Sequence, residues 1–274
     1  MKKILGYLKD FYDVHFSWGE LIVALVFVAF FCVFRYVNYI PYNDTEHSLL
    51  TSWWYTAFFA DYKFSFHFAL YFLPLLFGYF MSSIFHHEWH FWKNPKFWFL
   101  VLFAGGLFAF RSTLTYYIND YLTANIAYEH LDWLRSIVGT VIRGGFLFIA
   151  IWVYWYFTDK KEQPFYGFTL KNFNTRPYFI MLLIMVPLIA AASTQADFLN
   201  SYPRVQKMLS LDFTNSEHWK HFALYEVLYG LDFFSIEFFF RGFLILAFVG
   251  IVGPKAILPM AYMYVVIHWN KPMG

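Results

Sequence analysis

Four ionisable residues interrupt one of the most apolar stretches of this chain: Glu226, Asp232, Glu237 and Arg241, all between Phe222 and Val252. Placing a charge in hydrocarbon costs about 2.5 to 3.5 kcal/mol on insertion scales, so each is a functional candidate and must face protein or water, not lipid. At ~100° per residue, Glu226, Glu237 and Arg241 fall within about 60° of one another on a helix. Glu237 and Arg241 are also an i, i+4 pair, which brings a carboxylate and a guanidinium within reach of each other. That spacing serves a structural ion pair as well as it serves chemistry. Asp232 lies one turn before Ile236, on a face about 100° from Glu237, where a capping role or a structural hydrogen bond is its plain reading.

The next apolar segment supplies His268, four residues after Tyr264. Glu237 is about 15 residues into its span from the outer side, and His268 ~12 residues into the following one from the inner side, so both are expected near the midplane. A buried carboxylate beside an imidazole can activate a water as general base and protonate a leaving amine. A buried histidine with only a structural hydrogen bond is the competing reading. The cluster His86-His87-Glu88-Trp89-His90 places two histidines one turn apart, a spacing that can bind metal, but Phe91 stands where a His-Glu-x-x-His motif needs its second histidine. Its expected position at the inner membrane surface suits aromatic and histidine side chains that straddle the interface. Arg143 is expected near the outer end of its span, with its side chain snorkelling outward.

The elements that position these residues follow from composition. The 274 residues are 60% hydrophobic, 26% aromatic and only 14% charged, with a mean hydropathy of +0.46, which makes the bilayer the expected partner. A net charge of +2 and the lack of long basic runs argue against a nucleic-acid partner. The single cysteine, Cys32, allows neither an intrachain disulfide nor a cysteine metal site. Residues 1–18 read as an amphipathic helix lying in the interface, since Lys9, Asp10 and Asp13 interleave with apolar residues and break any signal-peptide core. Residues 19–274 read as one all-α, polytopic transmembrane helix bundle.

About seven apolar stretches approach the ~20 residues needed to cross ~30 Å of hydrocarbon. They run approximately from Leu21 to Ile40, Phe64 to Phe85, Phe97 to Phe110, Ile137 to Phe157, Tyr178 to Ala196, Phe222 to Val252 and Ala256 to Trp269. The last, at ~21 Å of helix, is too short to cross, so it either stops at mid-depth sheltered by protein or belongs to an eight-span bundle incomplete at its C-terminus. Lysine and arginine gather in alternate connections: Lys2 and Lys3, Lys93 and Lys96, then Lys160, Lys161, Lys171 and Arg176. The positive-inside rule therefore places the N-terminus inside.

The stretch Ser235-Ile236-Glu237-Phe238-Phe239-Phe240-Arg241-Gly242, followed by Tyr264-Val265-Val266-Ile267-His268, resembles the CPBP family of intramembrane proteases, which groups type II CAAX prenyl endopeptidases with bacteriocin-processing and immunity proteins. The family reads Glu-Glu-x-x-x-Arg, then Phe-x-x-x-His, then a later His with a polar residue four positions on. The resemblance covers the motifs at 236–242 and 264–268, about the last fifth of the chain. It departs in three places. Ile236 takes the position of the family's first glutamate, usually assigned as the essential catalytic one; Tyr264 replaces the phenylalanine; and the third motif has no counterpart before Gly274.

The resemblance implies an intramembrane endopeptidase that hydrolyses membrane-associated protein or peptide substrates in the cytoplasmic membrane of a bacterium. Glu237 would orient or deprotonate a water, His268 would polarise or protonate, Arg241 would hold Glu237, and Asp232 is a candidate substitute for the missing carboxylate. A glutamate mechanism requires no cofactor, while the family has also been described as depending on a divalent metal such as zinc. The competing class is a non-catalytic pseudoprotease or peptide-binding immunity protein using the same cavity, which Ile236 favours. Intramembrane charges also mark transporters, but no paired broken helices recur in two matching halves.

Overall fold

A computed structural model describes residues 15–38, 63–126, 128–169, 175–195 and 216–267, with Gly6, Lys9 and Tyr12 beside them. All regular structure among these residues is helical: α1 (Trp18–Asn38), α2 (Lys63–His86), α3 (Pro95–Asn125), α4 (Tyr128–Phe157), α5 (Arg176–Ala192), α6 (Ser216–Glu237), α7 (Leu244–Val252) and α8 (Ile257–Ile267). A π-helical segment, Phe238–Phe243, joins α6 to α7, and a 3₁₀ turn, Gly253–Ala256, joins α7 to α8. The expected interfacial helix at 1–18 lies mostly outside the described residues; Gly6, Lys9 and Tyr12 are helical and exposed.

Among the described residues, four helical stretches are long and apolar enough to cross a bilayer: Lys63–His86, Pro95–Asn125, Trp133–Phe157 and Trp219–Ile267. The last of these joins two segments that the sequence separates at Gly253-Pro254. Shorter apolar helices cover Trp18–Val33 and Tyr178–Ala192.

The span α3 is longer than its apolar run. From the sequence it ends near Phe110, where Arg111, Ser112 and Thr113 intervene, but the helix continues to Asn125. Arg111 and Thr113 are buried against protein, and Ser112 meets the Tyr71 hydroxyl at 2.9 Å, so polar residues extend the span instead of ending it. Its start is set locally. Asn94 accepts a hydrogen bond from the Lys96 amide at 2.9 Å, and Pro95 occupies the first helical position, where its missing N–H is not needed.

The short connections from α2 to α3 and from α3 to α4 make these helices antiparallel neighbours, and α6 packs on α4, α7 on α3 and α8 on α2. Lipid supplies little hydrophobic drive for helix association, so close packing must hold the bundle. Aromatic rings provide much of it. Tyr79 stacks on Phe248 at 5.2 Å and meets Phe97 edge-on at 5.1 Å, while Phe108 lies 5.0 Å from Phe239 and 5.3 Å from Phe240. Each such pair contributes roughly 0.5 to 1.5 kcal/mol beyond its area. At Gly78 the backbones nearly touch: a Cβ there would stand 2.5 Å from the Pro259 Cα, so a side chain would push α8 off α2.

One end of the bundle gathers most of the described lysines, with Lys63 and Lys220 at the other. Lys96 pairs with the buried Asp159 at 3.0 Å, and Lys255 pairs with Glu88, whose carboxyl this contact holds below the usual carboxylate range. Tyr166 donates to Asp159 at 2.7 Å; burial, reinforced by that carboxylate, pushes its phenol well above its ordinary value. Tyr166 also has a φ of 37°, an unusual left-handed conformation for a bulky residue. Its ring packs 5.4 Å from Phe243, which docks the Phe165–Gly167 turn against the π segment.

Candidate functional site

The α6 helix changes character at Glu237. Across Phe238–Phe243 the ladder widens to i→i+5 bonding, as where the Leu244 N–H donates to the Phe239 carbonyl. Phe239, Phe240 and Phe243 are all fully buried, whereas Arg241 between them is exposed. The wider turn thus lets three neighbouring phenylalanines enter the core while the guanidinium leaves it. Gly242 accommodates the crowding, since a Cβ there would lie 3.1 Å from the Tyr166 carbonyl oxygen. Single π-helical turns recur at functional sites.

Glu237 sits at this junction with two partners. Arg241 Nε approaches its Oε2 at 2.7 Å, and the Tyr264 hydroxyl donates to Oε1 at 2.8 Å. The arginine contact is an ion pair whose N–H is not aligned for a hydrogen bond, so the buried Oε2 has no hydrogen-bond donor among the described residues. The Glu237 side chain is 17% exposed and that of Arg241 70%. This carboxylate is sheltered while its counter-charge is wet. The Tyr264 ring also packs edge-on to Phe240 at 5.0 Å, so α8 and the π segment are fitted to each other at this point.

Asp232 belongs to a different centre. Its Oδ1 accepts from Arg111 Nη2 at 2.7 Å, and its Oδ2 lies 3.8 Å from Arg143 Nη2, which joins α3, α4 and α6 through one carboxylate. The Asp232 side chain is only 14% exposed and that of Arg111 10%. Arg143, expected to snorkel outward, instead turns to Asp232 and donates to Thr140 at 3.4 Å. The attraction of a buried carboxylate outweighs the pull of the interface. Ile236, at the family's first-glutamate position, packs against the apolar core.

The remaining candidates are dispersed. Glu226 is half-buried but lies eleven residues before Glu237, ~16 Å along the helix, so a shared face does not bring them together. His268 lies outside the described residues, and so does any meeting with Glu237. In the His86 cluster, His86 Nε2 is 2.9 Å from the Glu20 carboxylate and Glu88 is taken by Lys255. Among the described residues, no group of three His, Cys, Asp or Glu side chains is placed to hold a metal.

Two contributors escaped the sequence reading. Arg111 carried a usable signal, an arginine within an apolar run, which in a membrane implies a buried partner. Glu20, at the start of α1, is buried against His86 on α2, and nothing in its spacing announces that contact.

Helices, spans and site define a helical protein consistent with an integral membrane protein, carrying two separate charged centres on one helix. No family model, curated protein or solved structure matches this chain.

Proposed function

We propose that the chain is a CPBP-like intramembrane endopeptidase that hydrolyses peptide bonds of membrane-associated substrates. The observation that carries this reading is the hydrogen bond from Tyr264 to Glu237, which joins the two segments bearing the resemblance. In this mechanism the Glu237 carboxylate removes a proton from water, the water oxygen attacks the scissile carbonyl, and as the C–N bond breaks protonated His268 gives its proton to the departing amine and is reprotonated from Glu237. Arg241 and Tyr264 fix the carboxylate. Seven spans with the N-terminus inside, in the cytoplasmic membrane of a bacterium, complete the proposal; the gathering of lysines at one end of the bundle supports that orientation. No metal is required by a glutamate mechanism.

A specific observation favours a second reading. With Ile236 in the core and Asp232 held by two arginines, Glu237 stands without a second carboxylate, which suits a pseudoprotease that binds peptides without cutting them. Purified protein in nanodiscs, offered a panel of membrane-anchored peptides, separates the two. Cleavage that disappears in both Glu237→Gln and His268→Ala supports the peptidase. Cleavage unchanged in those variants overturns the site, and saturable binding without cleavage establishes the second reading.

A further inference from the structure

The Arg111–Asp232–Arg143 centre is not neutral. Two guanidiniums share one carboxylate, and among the described residues no other acidic group lies in ion-pair range of either, which leaves one positive charge in excess. Both arginine Nε atoms are buried without a hydrogen-bond acceptor. An excess charge in a membrane interior is costly, and a nearby carboxylate or phosphate would offset it.

This centre adjoins a groove of about 390 Å³ between α4 and α6. Its polar wall is Thr140, Asp232 and Ser235; Arg143 donates to Thr140 and so stands directly behind that wall. The rest is apolar, formed by Phe148, Ile149, Leu231 and Phe234, and Gly144 and Gly145 keep it open. A Cβ on Gly145 would meet nothing within 4 Å. Leu231, Phe234 and Ile149 are exposed on the outside of the bundle, so the groove opens where lipid chains run. Its volume suits a small amphiphile.

We propose that this groove binds an anionic amphiphile, whose phosphate or carboxylate head offsets the excess charge through Arg143 and whose acyl chain lies along Gly145, Phe148, Ile149 and Phe234. Arg143 lies ~21 Å of helix from Phe157, at the lysine-rich end, so the head belongs to the leaflet at the opposite end and the chain points towards the midplane. The proposal stands independently of the peptidase reading, because the Glu237 centre shares no residue with it.

The test uses the full chain in phosphatidylcholine nanodiscs, with bound lipid counted by native mass spectrometry. Oleoyl lysophosphatidate and oleate supply phosphate and carboxylate heads, and oleoyl lysophosphatidylcholine is the neutral control. Retention of at least one anionic probe about tenfold above the control is expected, and the probe retained identifies the head. Arg143→Met removes the excess charge but keeps the Arg111–Asp232 pair, and should bring the ratio to about one. Gly145→Phe fills the groove and should reduce retention of all three probes. A photoreactive residue at Val141 should yield lipid adducts. Equal retention of anionic and neutral probes by the unmodified protein, a ratio unchanged in Arg143→Met, or Val141 adducts with a polypeptide or a second copy would overturn the proposal.

Discussion

Asp232 and Glu237 are five residues apart on one helix, yet their partners come from different places. Asp232 takes its cations from α3 and α4, and both are largely buried. Glu237 takes its cation from the next turn of its own chain, with the guanidinium in the open and a phenol from α8 as second partner. The first arrangement ties three helices together and immobilises the carboxylate. The second holds a carboxylate of similar exposure, 17% against 14%, through a counter-ion that is itself in the open. A buried charge fixed from several elements serves the fold; a charge paired within its own turn ties fewer elements together.

The sharpest way to break this contrast is to remove each carboxylate. Asp232→Leu strands two buried guanidiniums, and loss of one partner of a buried pair costs about 3 to 5 kcal/mol. Thermal unfolding in detergent should show a large fall in Tm and poor recovery of folded protein. Glu237→Gln should leave Tm nearly unchanged, because a pair with an exposed guanidinium contributes about 0 to 1 kcal/mol. If the proposed peptidase is correct, the same variant should lower cleavage by ~10²-fold or more. Similar Tm losses in the two variants would remove the distinction between the centres.

The sequence made one half of this contrast legible. The Glu237–Arg241 spacing is local, so a helical repeat sufficed to pair them, and Tyr264 was marked by its place before His268. For Asp232 the sequence supports a cap or a structural hydrogen bond without naming its partners, because they depend on which helices pack together. The apolar run stops at Phe110, yet α3 continues through Arg111, whose charge is accommodated by Asp232. The π turn at Phe238–Phe243 was equally hidden, since three phenylalanines in a row specify burial without specifying how the backbone widens to achieve it.

A smaller change probes the fit between the π segment and α8. Tyr264→Phe keeps the ring against Phe240 but removes the donor to Glu237. Stability should fall by about 0.5 to 1.5 kcal/mol, the net contribution of one hydrogen bond. Cleavage should fall more than stability alone explains if the phenol orients the base. An activity loss equal to the loss of folded protein would reduce Tyr264 to a structural tie.

The smallest effect is expected where water is closest. Glu88 and Lys255 pair at the lysine-rich end, with the carboxylate partly exposed, and the lysine hydrogen bond lowers the Glu88 pKa. A lowered folded-state value means that the ionised form is favoured by folding. The stabilisation is therefore complete above the unfolded glutamate value of ~4.3 and disappears as pH falls through the lower folded value. Comparing Tm of the unmodified protein with that of Glu88→Gln should show a small difference at neutral pH that closes only in acid. A difference that persists unchanged at pH well below ~4 would assign the effect to packing and remove the ion pair as its cause. Asp232 and Glu237 are thus similarly sheltered and differ in what pairs them, whereas the wetter Glu88 adds a weak tie between the Gly253–Ala256 turn and the residues that follow α2.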